Sequence, residues 1–195
     1  MLTAYSDLWP SIMPETPGAP EALILRVMKD LVIEMCRETE MFKEELAAMD
    51  IVALQAQYNL VPSWDATIQA LDWVKVSGQK LPEEQYELTQ DMILTFRTNW
   101  IPATAKTAGL LVKVTLLPNY DHEQIDPVLL NRYHEGIVAG TKGRLMIMPK
   151  KKWSDPQLGM LYMQKYDEVK AQAIRHKFTG QKNQGQLRVR PQFWA

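Results

Sequence analysis

Asp-Pro occurs twice in this chain, at Asp126-Pro127 and at Asp155-Pro156, and each time a helix-spaced apolar pattern follows. An aspartate offers its side-chain oxygens to the unpaired N–H groups of a first helical turn. Proline suits the first helical position, where its missing N–H costs nothing. The two dipeptides therefore mark two helix starts. The first opens "IDPVLLNRYHEGIVAGTKGRLMIMP", with Leu130, Tyr133, Ile137 and Met146 at helical spacing. The second opens "SDPQLGMLYMQKYDEVKAQAIRHKF", where Leu158, Leu161, Tyr162, Val169 and Ala173 form the expected buried stripe. The loop "MPKKKW" joins them, so residues 126–178 read as a helical hairpin.

A third helix is expected from Pro20 to about Glu40, because Ile24, Val27, Met28, Leu31, Val32, Met35 and Cys36 recur on one face. Pro20 suits its first turn and Glu21 complements the positive end of its dipole. Cys36 falls on the apolar stripe and reads as a small buried hydrophobe. Before this helix, residues 1–19 are broken by Pro10, Pro14 and Pro17.

Between the helices, residues 42–117 change period. Short segments such as "DIVALQAQYNLV", "TIQALDWVKVSG" and "GLLVKVTLLP" are separated by turn chemistry at Val61-Pro62-Ser63, Ser77-Gly78 and Leu81-Pro82. Four to six antiparallel strands in a small sheet or barrel are expected. Alternation in "ALDWVKV" is imperfect, which leaves the register open, and "PEEQYELTQDMILTF" reads either as strand or as helix. The expectation is one α+β domain: an amphipathic N-terminal helix, a small antiparallel β-sheet or barrel, two C-terminal helices, and an extended C-terminal arm over residues 179–195.

Composition removes some classes of function. No run approaches the roughly 18 uninterrupted apolar residues of a membrane span, and "MLTAYSDLWPS" lacks a signal peptide's basic and apolar regions. No membrane partner is expected, and the chain reads as made and used in a cytosol unless an assembly carries it out. One cysteine in 195 residues forbids an internal disulfide and a cysteine-based zinc cage. Catalysis has only His122, His134 and His176 to draw on, and none stands in a nucleophile–base pattern. "YDHEQID" gathers Asp121, His122, Glu123 and Asp126, but acidic residues before a helix are favoured by the dipole alone, so a loop is preferred over a metal site. Gly136, Gly140 and Gly143 lack the order and the preceding strand of a phosphate loop. Glycines at i, i+4 on a helix instead let a neighbouring element approach closely. A non-catalytic chain without cofactors is the expectation.

The net charge of −1 hides a segregation. Residues 1–149 carry 12 basic and 20 acidic side chains, whereas residues 150–195 carry 10 basic and 3 acidic ones. Such halves suit head-to-tail contacts between copies, or a basic part facing a polyanion or an acidic partner. Lys150, Lys151 and Lys152, followed by Trp153, form a compact basic loop that reads either as a phosphate-holding element or as a solvated turn. The last residues, "LRVRPQFWA", follow the polar stretch "TGQKNQGQ". Arg188, Val189, Arg190, Pro191, Phe193 and Trp194 make an aromatic, basic tip where chain ends are usually polar. It either anchors in a partner or folds back onto the chain's own sheet.

Taken together, "ILRVMKDLVIEMCRETEMFKEEL", "DIVALQAQYNLVP" and "DPVLLNRYHEGIVAGTKGRLMIMPKKKWSDPQLGMLYMQKYDEVKAQA" resemble the head-to-tail adaptor proteins of tailed bacteriophages, of the tail tubular protein A type found in short-tailed phages. The likeness covers roughly residues 20–62 and 110–178. It implies a structural virion protein at the head-tail junction, made in the host bacterial cytoplasm. It further implies a ring, usually of twelve copies, between the capsid portal and the next tail protein, with DNA passing through the centre unread. The C-terminal segment of such adaptors docks in the portal, which would give Arg188 to Trp194 a role as anchors. Lys150 to Lys152 would then face either the DNA channel or a neighbouring subunit. From another class, a nucleic-acid-binding module using the basic C-terminal part is the alternative.

Overall fold

The structure, a computed structural model, describes residues 3–89, 92–121, 124–125 and 127–179, and the side chains of 4–89, 92–121 and 132–175. Within them the chain is α+β, as expected. It opens with a two-residue strand, β1 (Thr3–Ala4), and a 3-10 helix, Tyr5–Ser11. Tyr5, Leu8 and Ile12 are buried, so this Pro-broken stretch is part of the core. The first α-helix, α1, spans Glu21–Thr39 with Pro20 as its N-cap, one position earlier than the first-turn placement expected for that proline. All seven stripe residues from Ile24 to Cys36 are buried, Cys36 among them. The helix stops at Glu40, whose left-handed φ of 50° turns the chain while its N–H donates to the carbonyl of Cys36.

The β-region is larger than four to six strands. It holds β2 (Lys43–Glu45), β3 (Met49–Ile51), β4 (Gln57–Asn59), β5 (Ala66–Val76), β6 (Gln79–Lys80), β7 (Tyr86–Thr89), β8 (Ile93–Phe96) and β9 (Lys106–Pro118), split into two antiparallel sheets. β9 organises the first. Its Leu110, Val112, Val114 and Leu116 alternate inward and are completely buried, whereas Leu111, Lys113 and Leu117 between and beside them are half-buried and Thr115 is buried. β5 runs along one edge of β9, while β2 and β3 share the other edge end to end. The register slips between Ile68 and Ala70 and again between Leu71 and Trp73, which is the physical reason "ALDWVKV" does not alternate cleanly. The second sheet has the order β4-β8-β7, so "YELTQDMILTF" contributes strands rather than a helix. A 3-10 turn over Glu83–Gln85 precedes it.

A short strand, β10 (Gln124–Ile125), pairs with β1 and leads into α2 (Pro127–Ile147) and α3 (Pro156–Thr179). α1 touches β9, α2 and α3, and thus joins the main sheet to the hairpin. One hydrophobic cluster runs from Leu8 through α1 and β9 to Ile137 and Tyr166.

Candidate interaction surfaces

The hairpin is held by glycine. A Cβ on Gly136 would fall 2.6 Å from Val169 Cγ1, one on Gly140 would fall 2.8 Å from the Tyr166 ring, and one on Gly143 would fall 2.9 Å from Met163 Cγ. Gly159 answers from α3, where a Cβ would meet Ile147 Cγ1 at 2.8 Å. Close approach between helices, rather than phosphate binding, accounts for this glycine series. Tyr166 then reaches past Gly140 and donates its hydroxyl to the carbonyl of Leu31 at 3.1 Å. Burial pushes its phenol well above the ordinary tyrosine range.

This packing corrects the expected face of α3. Tyr162 and Val169 are half-buried and Ala173 is buried, but Leu158 and Leu161 are exposed, at 37% and 64%. The buried line instead runs Gly159, Tyr166, Ala173. The glycines of the seam receive Val169, Tyr166, Met163 and Ile147, while Leu158 and Leu161 are left outside.

Part of the segregated charge is neutralised within the chain. Lys170 lies 2.9 Å from Glu38 and 3.6 Å from Glu34 across the α1–α3 contact. Burial works against its charge, but the Glu38 hydrogen bond and the neighbouring carboxylates outweigh it and raise its pKa. Arg144 also contacts Glu34. Lys142, buried in α2, holds Glu15 of the N-terminal segment at 2.6 Å. Tyr162 donates its hydroxyl to the same carboxylate. These two donors, the lysine first, hold the Glu15 carboxyl below the ordinary carboxylate range.

The connector between α2 and α3 is a tight turn with a basic outer face. Asp155 N–H donates to Met146 O at 2.9 Å and Ser154 N–H to Lys151 O at 3.1 Å, while Lys150 takes a left-handed φ of 58°. Asp155 Oδ1 accepts from Leu158 N–H at 3.1 Å, which is the expected N-cap of α3. Lys150, Lys151 and Lys152 are all exposed and form no ion pair with any described residue. Trp153 turns the other way, its ring half-buried against the core, so it anchors the loop instead of flanking a phosphate. Ile147, Leu158, Met160 and Leu161, close to the turn in sequence, are exposed apolar residues. Residues 147–161 therefore present a basic tip and exposed apolar side chains.

A second surface escaped the sequence reading. Pro82, Glu84, Gln85, Arg97 and Trp100 line an open groove of about 420 Å³ beside edge strand β7. Trp100 is 51% exposed, and Gln85 is more than nine-tenths buried with no partner for its Oε1 among the described residues. Only the apolar residue in "TNW" and the paired glutamates of "PEEQYE" hinted at it.

The other sequence-derived candidates fall elsewhere. Arg188, Val189, Arg190, Pro191, Phe193 and Trp194 lie outside the described residues, as do the side chains of His122, Glu123, Asp126 and His176. Asp121 is exposed and His134 is half-buried on α2. Among the described residues no group of three or more His, Cys, Asp or Glu could hold a metal ion. No helix among them is long and apolar enough to cross a membrane. Comparison with protein-family models and with curated proteins found no match.

Proposed function

We propose that this chain is a non-catalytic structural subunit of a tailed-phage virion, an adaptor that forms a ring between the capsid portal and the next tail protein and leaves a channel for DNA. The observation that carries the reading is that the stretches resembling such adaptors, residues 20–62 and 110–178, hold α1, most of β9 and nearly all of the α2–α3 hairpin, with α1 packed on β9 and on both hairpin helices. Their contribution is shape and adhesion. The ring is expected to have about twelve copies, to sit at the head-tail junction, and to be made in the host bacterial cytoplasm. The tip Arg188 to Trp194 docks in the portal, with aromatic anchors in pockets and arginines on carboxylates.

The test is co-sedimentation and electron microscopy with the portal of the same phage, comparing the full chain with one stopped after Gly185. Rings on the portal with the full chain, and none with the folded truncation, support both the adaptor and its arm. No binding by either sinks the adaptor reading. A nucleic-acid-binding module is the second reading, favoured by the three exposed lysines at 150–152, which pair with no described carboxylate. It requires retention on DNA that falls steeply with salt.

A further inference from the structure

The basic tip and the groove at Trp100 are complementary in charge and in exposed apolar surface, with Arg97 as the exception. The tip offers three exposed ammonium groups without a described counter-ion, with Ile147, Met160 and Leu161 exposed close by in sequence. The groove offers Glu84 on its wall, Glu83 and Glu87 exposed beside it, and the indole face of Trp100. None of these three glutamates is in an ion pair with a described residue, and Arg97 is the one cation lining the groove. Gln85 lines the groove as well, and its buried Oε1 has no described donor. A lysine ammonium suits this wall as a counter-charge to Glu84 and as a cation over tryptophan. Leu54, 78% exposed and in a left-handed turn, is tied to the segment after Trp100 by its N–H bond to Pro102 O at 2.8 Å. An exposed leucine side chain keeps apolar surface in water, and that cost falls when a partner covers it.

We propose that the Lys150–Lys152 tip of one copy docks in the Glu84–Gln85–Trp100 groove of the next, with the leucines around the tip covering Trp100 and Leu54. The contact is heterologous: each copy uses one surface as donor and the other as acceptor, so repetition closes a ring or grows a filament. It rests on the adaptor reading and names the neighbour's surface within it.

Paired charge reversal tests the contact. The tip variant carries K150E, K151E and K152E; the groove variant carries E83K, E84K and E87K. Each alone, folded by circular dichroism, is expected to assemble on the order of tenfold more weakly or worse, in sedimentation and in rings on the portal, because like charges then face one another. Mixed in equal amounts, the two are expected to regain assembly with alternating composition by native mass spectrometry. The milder pair K151E and E84K is expected to repeat the pattern at smaller amplitude should the triple variants fold poorly. Variants that form rings as wild type does, or a mixture that recovers nothing, overturn this contact while leaving the adaptor reading intact. Wild-type chain that stays monomeric both alone and with the portal overturns both.

Discussion

Gly140 of α2 sits directly against the ring of Tyr166 of α3, so closely that a methyl group on Gly140 would come within 2.8 Å of it and within 3.2 Å of Leu31. Those contacts lie where α1, α2 and α3 converge. Gly140→Ala is therefore expected to destabilise the fold even though alanine is the better helix former. The intrinsic gain of up to about 1 kcal/mol is offset by overpacking of about 1–3 kcal/mol. Chemical denaturation of the variant beside wild type checks the sign, and an unchanged or raised midpoint would show that the seam can open.

The Glu15 contact with Lys142 and Tyr162 predicts an acid-sensitive tie between the N-terminal segment and the hairpin. Its carboxyl pKa is lowered in the folded chain from 4.5, so its contribution is present above that value and is lost as pH falls through the lower, folded one. Wild type is expected to exceed Glu15→Gln in thermal midpoint at neutral pH, with the gap closing in acid. A gap that persists once both side chains are neutral would mean that shape, not charge, makes the difference.

Asp155 caps α3 through the N–H of Leu158. Asp155→Ala is expected to cost roughly 0.5–2 kcal/mol, whereas Asp155→Asn or Ser keeps most of the stability. Equal losses for all three would indicate that the cap is not what holds the turn.

Leu161 points to solvent on α3, while Tyr166, five residues on, is fully buried. Leu161→Gln is expected to leave stability within about 0.5 kcal/mol, and Tyr166→Ala to cost about 3–5 kcal/mol. If the glutamine costs several kcal/mol in the isolated chain, the leucine is covered even without a partner.

Much of the helical architecture was legible because its signals are local. Asp155-Pro156 marked the start of α3, and the seven apolar residues of α1 lay on one face as their spacing demanded. The spacing of Gly136 and Gly140 already asked for a close neighbour, although not for which helix. What was lost depended on partners distant in sequence. Tyr162, Val169 and Ala173 of the expected stripe do turn inward, but Leu158 and Leu161 do not, because the seam is centred on the line Gly159, Tyr166, Ala173. The bulges at Ile68 and Leu71 blurred the period of β5, and two sheets could not be told from one without knowing that β9 takes β2 and β3 on a single edge. Tyr5, Leu8 and Ile12 were hidden by the prolines around them, since a 3-10 helix has too short a period to announce itself. Among the surfaces, the lysine tip was visible as a run of charge. The groove was not, because Glu84 and Trp100 lie sixteen positions apart and meet only through the β7–β8 pairing.

α3 has 24 residues and no proline after its first position, which makes it a rod of roughly 36 Å. One end carries the connector turn; the other is the last described residue before the chain's aromatic tip. A rod of that length works as a gauge: it keeps the connector turn and Thr179 at a set spacing that thermal bending hardly alters. Inserting or deleting a single residue in it would also turn one end by about 100° relative to the other, so the helix records an angle as well as a distance.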